Sequence, residues 1–413
     1  MALILFEESG DLGFSFAFSF PVRFMPCPAL RLLFGAVLVF GMSAGRARGD
    51  LSGPPITDNN YRVDLTQGVV VGPSRMTAMG GAYTSIAEGA AGLAMNPAAA
   101  AFRAPASKGP WDWDFTLGAF TSGRSDFNNF GSFSSSLQKN QVTDGGLLLQ
   151  GGRFGFGVFG VSYRYDMRKP QGATRVEFGA TRFAFGGAVL DRRLNWGVGI
   201  RPASLEAFSG GGSSKVLKLT GNGLDAGLLW NPGRGPLRVG AVCAGRIATE
   251  QSLEPSGSTG PVRDAGLIVP REVTLPTSGL LGASYTWKSS PFWAAHPATL
   301  SADVQVDGAA RNAVSVESFA EQKIQRSGEH NTLGYHLGSE YEVWSRRLRV
   351  RVGTYFEPSR FEGVSGRQHG TGGFEVNLFR LNLFGERHLS FSYAFDGARR
   401  YTNHFVSVGF WHY

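Results

Sequence analysis

The most constraining feature of this sequence is a two-residue rhythm that starts at Trp111 and persists to the end of the chain. In Trp111-Asp112-Trp113-Asp114-Phe115-Thr116-Leu117-Gly118-Ala119 every odd position is apolar and every even one is small or polar. That period places successive side chains on opposite faces of an extended strand. The pattern returns at Trp196/Val198/Ile200, Leu224/Ala226/Leu228/Trp230, Leu281/Ala283/Tyr285/Trp287 and Leu389/Phe391/Tyr393/Phe395. A soluble β-sandwich alternates in the same way, so a second observation must say what the apolar face meets.

Scarcity of charge is that observation. Only 17% of the 413 residues are charged, whereas soluble domains carry about 25%; Gly contributes 58 residues and aromatics, mostly Phe, 12%. A bilayer-spanning helix needs roughly 20 consecutive apolar residues, and the region after residue 47 has no such run. Mean hydropathy, at -0.08, agrees. Strands that show one face to lipid and the other to a lumen remain, and they must close so that no edge is left unpaired. The fold read from the sequence is therefore all-β: a transmembrane antiparallel barrel of about 14 strands in a bacterial cell outer membrane. The strands fall near 111–120, 144–151, 154–165, 175–190, 194–204, 215–231, 236–249, 279–288, 299–307, 331–343, 346–357, 371–380, 388–397 and 403–413. Connections of a few residues at 152–153, 191–193, 231–236 and 344–345 alternate with long ones at 121–143, 250–278, 308–330 and 358–370. Short periplasmic turns and long outer loops are the usual pattern of such barrels.

Residues 1–47 read as a signal peptide. The apolar run Leu32 to Met42 follows Arg31 and precedes small residues up to Ala47, which places the start at Met25 and cleavage near Ala47. Cys27 leaves with that signal, so Cys243 stands alone and no internal disulfide is expected. The net charge of +8 comes from basic residues scattered singly along strands, which excludes a nucleic-acid partner. Two enzyme-like motifs are decoys. Gly155-Phe156-Gly157-Val158-Phe159-Gly160 fits a dinucleotide fingerprint but continues into a strand, and Gly41-Met42-Ser43-Ala44-Gly45 lies in the signal. The 7 histidines include no H-E-x-x-H, and no metal, cofactor or catalytic set is expected.

One hairpin is paired by charge. Setting Glu342 against Arg347 places Glu340 opposite Arg349 and Leu337 opposite Val352, and leaves Arg351 opposite Gly338 without a partner. Arg351 is thereby the candidate for an acidic ligand headgroup, since guanidinium binds carboxylate in a fork. At the C-terminus, Trp411 and Tyr413 look like the signal read by the barrel assembly machinery. That machinery and outer membrane lipids are the expected partners.

Residues 74–102 differ from everything after them. They are rich in Ala and poor in β-branched residues, which favours helix, and Asn96-Pro97 reads as a turn or helix stop. With 111–413 forming the barrel, 48–110 read as a plug in the lumen; the plainer alternative is a helix on the periplasmic rim. Gly80-Gly81 would supply a turn or a close approach.

Here the sequence resembles a family. Ala78-Met79-Gly80-Gly81-Ala82-Tyr83, an acid at Glu88, and Asn96-Pro97-Ala98 are similar to the N-terminal hatch of the long-chain fatty acid transporter superfamily, the FadL-type outer membrane proteins. Leu275-Pro276, Leu281 to Tyr285, Leu300 to Asp303, Arg351 to Gly353 and Glu357-Pro358 add shorter likenesses. Glu88-Gly89 stands where the family has an acidic pair, and Ala99-Ala100 where it has Gly-Leu. The resemblance implies a hatch-plugged barrel for passive uptake of long-chain fatty acids or other hydrophobic small molecules. Ligand is captured among outer loops and leaves sideways through the wall, helped by about 0.8 kcal/mol for each CH₂ kept from water. Phe127, Phe130, Phe133, Leu267, Ile268 and Val269 are apolar loop residues suited to capture. The same superfamily shape also serves as a shuttle or anchor in secretion systems, the alternative reading.

Overall fold

The computed structural model describes residues 53–103, 109–122, 126–131, 137–169, 172–209, 214–233, 235–250, 261, 263–264, 267–288, 296–382 and 386–411. The expected signal peptide with Cys27, and also Phe133 and Tyr413, lie outside them.

Fourteen strands make the wall: β1 (Trp111–Ser122), β2 (Leu137–Gly151), β3 (Phe154–Lys169), β4 (Gly172–Val189), β5 (Leu194–Ser209), β6 (Ser214–Trp230), β7 (Leu237–Ala244), β8 (Ser278–Trp287), β9 (Ala298–Asp307), β10 (Thr332–Trp344), β11 (Leu348–Glu357), β12 (Arg367–Asn382), β13 (Glu386–Ala398) and β14 (Tyr401–Phe410). Each pairs antiparallel with the next, and β14 pairs with β1, so the sheet closes on itself. Every strand expected from the alternation is present. The largest difference is at β2, which begins at Leu137 where residue 144 was expected.

The outward positions identify the solvent. Leu117 is 61% exposed and Leu224 67%, with Phe156, Phe183, Ile200 and Leu333 exposed beside them. Such a belt is intolerable in water and natural in lipid. Trp111, Trp230 and Trp344 are exposed at the strand ends nearest the short turns, where the aromatic girdle of a membrane barrel sits. The sequence motif 155–160 lies in the middle of β3.

The β10–β11 hairpin corrects the expected register. Glu342 pairs with Arg349, Glu340 with Arg351 and Leu337 with Thr354, a slip of two residues. Arg346 adopts a left-handed conformation, φ 58°, and Arg347 N donates to Trp344 O at 2.9 Å, so the turn consumes more chain than Trp344-Ser345. Arg351 therefore has a carboxylate opposite it and is not unpartnered.

At the outer end a five-stranded sheet covers the wall. Ile247–Glu250 and Glu272–Leu275 extend the β7–β8 hairpin; Arg62–Asp64 lies parallel to Glu272–Leu275 on one side and to Ala313–Ser315 on the other, and Arg326–Ser327 completes the sheet. Its central strand thus comes from the N-terminal part of the chain. Pro55 bridges to Lys323 nearby, and Ile56 N donates to Gln322 O at 2.9 Å. At the opposite end Gly152 N donates to Pro110 O at 3.2 Å. Residues 53–103 accordingly run from the outer sheet to the turn side, where Gln150 donates to Phe102 O at 2.9 Å.

Candidate functional site

Between those ends, the N-terminal segment packs against inward-facing groups of strands around the barrel. It is helical only in pieces: Ser74–Ala78, Gly89–Gly92 and a 3-10 turn at Pro97–Ala100. Asp303 of β9 accepts from Tyr83 N at 2.9 Å and Thr84 N at 2.7 Å; Asp114 of β1 accepts from Ala90 N at 2.5 Å. Gln150 of β2 donates to Ala100 O and Phe102 O, both at 2.9 Å, and Thr371 of β12 donates to Ala78 O at 3.0 Å. Backbone groups of a non-regular segment thus find partners on the wall, as burial demands.

The motif residues occupy the closest contacts. Ala78, Met79, Ala82 and Ala98 are fully buried. Gly80 and Gly81 take φ of 62° and 78°, and a Cβ on Gly80 would lie 2.7 Å from Thr354 N in β11; glycine meets both demands at once. His336 Nδ1, 2.8 Å from Gly80 O, donates to that carbonyl. Asn96 caps the 3-10 turn by accepting from Ala98 N at 3.0 Å, while its amide donates to Thr84 O and to Leu228 O of β6, each at 3.1 Å. Pro97 begins that turn without needing an N–H partner. The wall reciprocates with glycines: Gly197, Gly227 and Gly338 face Pro97, Asn96 and Met79, and a side chain at any of them would overlap the segment.

A buried charge network ties the segment to the wall. Arg75 makes a fork onto Glu340, with Nε at 2.9 Å and Nη2 at 3.0 Å, and pairs with Glu88. Arg238 of β7 reaches Glu88 at 3.8 Å. Arg351 donates to Glu340 at 2.6 Å and pairs with Glu375 of β12. Arg351, expected to meet a ligand headgroup, stands in a chain of ion pairs with Glu340 and Glu375. Sequence reading missed its partners Glu340 and Glu375; both are acids at inward positions, the signal that marks them.

Above this lies an apolar layer. Inward Val142, Tyr165, Phe178, Leu205 and Leu217 pack with Val63, Val273 and Phe319. Phe127, Leu267, Ile268 and Val269 are buried in it, and Phe130 is buried beside it against Phe361. Within the layer the short helix Val316–Glu321 buries Glu317, whose Oε1 has no partner among the described residues. Burial, with Asp126 and Glu321 adding like charge, pushes its carboxyl up to about 8. Exposed to water on unfolding it would titrate normally, so the packed layer binds the extra proton. The packing of this layer is then most stable at acid pH and loses stability as pH rises from about 4.5 to about 8. Hydrogen exchange of residues 308–331 should accelerate across that window in the parent and stay level in Glu317→Gln. An unchanged slope in the variant would remove Glu317 from the account.

The ladders of the wall are interrupted beside this layer. The β6–β7 ladder runs from Trp230↔Val239 to Asp225↔Ala244, and beyond it only Asn222↔Ala248 remains. Across the neighbouring strands, the β4–β5 ladder skips Thr181 and Arg182 opposite Pro202, which has no N–H to give. On the lipid side of this region is a groove of about 700 Å³, lined by Phe156, Phe183, Ile200, Leu224 and Cys243, with Gly199, Gly245 and Asp225 at its base. Asp225 is held from the lumen by Arg182 at 2.6 Å. Among the described residues no His/Cys/Asp/Glu group is arranged to hold a metal.

Neither a family model nor a curated protein sequence matches this chain. Among solved structures, the CymD monoaromatic hydrocarbon channel superposes with a TM-score of 0.53 at 12% identity, covering 83% of this chain and 98% of that one. The Ralstonia pickettii toluene transporter TbuX superposes with a TM-score of 0.50 at 15% identity, covering 83% and 98%. Identities this low speak for architecture, and the architecture is shared nearly end to end. A closed fourteen-stranded wall with a lipid-facing belt thus gives the protein the fold of these solved hydrocarbon channels.

Proposed function

We propose that the barrel is a passive channel for hydrophobic small molecules, monoaromatic hydrocarbons or long-chain fatty acids, with residues 48–110 acting as a movable hatch. The observation that carries this reading is the inward apolar layer standing beside an apolar groove in the lipid-facing wall. Water-filled porins line their lumen with polar groups. Here Val142, Phe178, Leu205 and Leu217 face inward in the outer half, and Gly199 and Gly245 leave the wall thin at the groove. A molecule taken up at the outer loops would stay out of water until it enters the membrane sideways. The solved channels of the same fold are named for hydrocarbons, and they support this class of ligand. For the hatch to shift, its polar contacts through Asn96, Glu88 and Arg75 and its apolar packing of Met79, Leu93 and Ala98 with Leu148, Phe159 and Tyr355 must be released together.

Cys243 offers the test, being exposed in the groove and the one cysteine left after signal removal. Modifying it with a bulky maleimide should cut uptake of labelled toluene and oleate severalfold in the parent and leave Cys243→Ser untouched. Labelled protein that imports both at the parental rate would reject the lateral route. A barrel that imports neither probe even unmodified would favour the shuttle or anchor role.

A further inference from the structure

The rim formed by the short turns is basic. Among the described residues that join its strands, Arg153, Arg192, Arg193, Lys288, Arg346 and Arg347 are all exposed and stand against one acid, Asp191. The charge is densest at the β2–β3 and β4–β5 turns. There Arg192 Nη2 donates to Gly152 O at 2.6 Å and Ala188 N to Arg153 O at 2.8 Å. Asn231 N, from the β6–β7 turn, donates to Arg193 O at 2.7 Å, so three neighbouring turns form one platform. Arg153, Arg192 and Arg193 form no ion pair among the described residues. Leu190, Asp191 and Arg192 follow one another in the left-handed region, at φ 50°, 52° and 63°. Non-glycine residues stay there only where the surroundings hold them. The turn leaves Leu190 66% exposed beside its arginines.

Next to the platform the lipid-facing belt is aromatic. Phe154 and Phe185 stack at 5.8 Å, and Phe185 meets Trp196 edge-on at 5.9 Å, with Val189 exposed close by. Phe185 also lines the lipid-side groove with Phe156 and Phe183. Aromatic and basic side chains at the edge of such a belt stand at the depth of lipid headgroups. We infer that this corner holds an anionic glycerophospholipid of the inner leaflet, its phosphate on Arg153, Arg192 and Arg193 and its chains along the Phe154–Phe185 face. Guanidinium forks match phosphate oxygens. Three cations against the one anion of Asp191 leave an excess that an anionic head compensates and a zwitterionic head does not. The inference does not depend on the channel reading.

Dioleoyl phosphatidylglycerol and dioleoyl phosphatidylethanolamine share their chains and phosphate and differ in net charge. In non-ionic micelles at low salt, the mature protein given equal amounts of both should retain the first about tenfold over the second, the scale of one added charge near one or two basic residues. Arg153→Gln, Arg192→Asn and Arg193→Gln together should abolish that preference, Asn being chosen at 192 because it tolerates the left-handed backbone. Lysine at the same three positions should keep most of it. Arg346→Asn with Arg347→Gln, on the β10–β11 turn, should leave it at the parental value. Mass spectrometry of the retained lipid reads each case, and heat-modifiable gel mobility shows that each barrel is folded. Equal retention of the two lipids by the parent overturns the inference and turns the arginines toward an acidic periplasmic partner. A preference that survives the neutral triple overturns it too. One that falls as far in the β10–β11 variant also overturns it, by replacing a local site with the charge of the whole rim.

Discussion

A mature protein lacking residues 48–104 is expected to fold into the barrel and conduct ions in a planar bilayer, where the parent stays closed. Every ladder from β1 to β14 lies outside the deleted stretch, so the wall keeps its hydrogen bonds and its lipid-facing surface. Two obstructions leave together. The buried segment 74–102 goes from the middle of the barrel, and Arg62–Asp64 goes from the centre of the outer sheet. Without that strand, Glu272–Leu275 and Ala313–Ser315 lose their shared neighbour, and the apolar layer loses Val63, Leu65 and Val69. A deletion of 74–102 alone should conduct less, because the outer sheet retains its centre. Should the longer truncation assemble and remain as closed as the parent, the hatch role of 48–110 would have to be abandoned.

Breaking the buried ion pairs should cost stability on the scale of a large core mutation. Glu340→Ala strips Arg75 of its forked partner and leaves Arg351 with Glu375 alone. Removing one member of a buried charge network typically costs about 3 to 5 kcal/mol, because the remaining charge stays desolvated without compensation. Urea unfolding of the folded barrel, followed by its gel mobility, measures the loss. Arg351→Ala should behave similarly, and should weaken charged and neutral ligands alike, since its guanidinium is turned to Glu340 and Glu375. A change within about 1 kcal/mol of the parent for both variants would mean that water has already entered the network.

The alternation made the wall legible, yet the same alternation hid the register. A slip of one residue reverses every side chain of a strand, whereas a slip of two preserves both faces. Pairing charges across Trp344-Ser345 therefore satisfied the pattern while misplacing Arg351, and only the left-handed Arg346 reveals the longer turn. The N-terminal motif was visible through Gly80-Gly81 and Asn96-Pro97, where special backbone and capping demands restrict the residue type. Its counterparts on the wall were not, because Asp303, Gln150 and Asp114 look like ordinary inward polar residues until the closed barrel brings them to the segment. Arg62–Asp64 was invisible for a different reason. Three residues carry no period, and their partners lie more than two hundred residues away at Glu272 and Ala313.

The path of residues 53–103, from the outer sheet to the turn side, also bears on how such a molecule is made. A chain anchored at both rims cannot be threaded into a finished cylinder from one side without carrying its polar backbone past the apolar layer. The seam offers the other order: β1 and β14 pair only from Thr116↔Gly409 to Phe120↔Phe405, a short stretch beside the long ladder of β1 with β2. The N-terminal segment would then serve as a mandrel, around which the strands that follow it curl before their two margins meet.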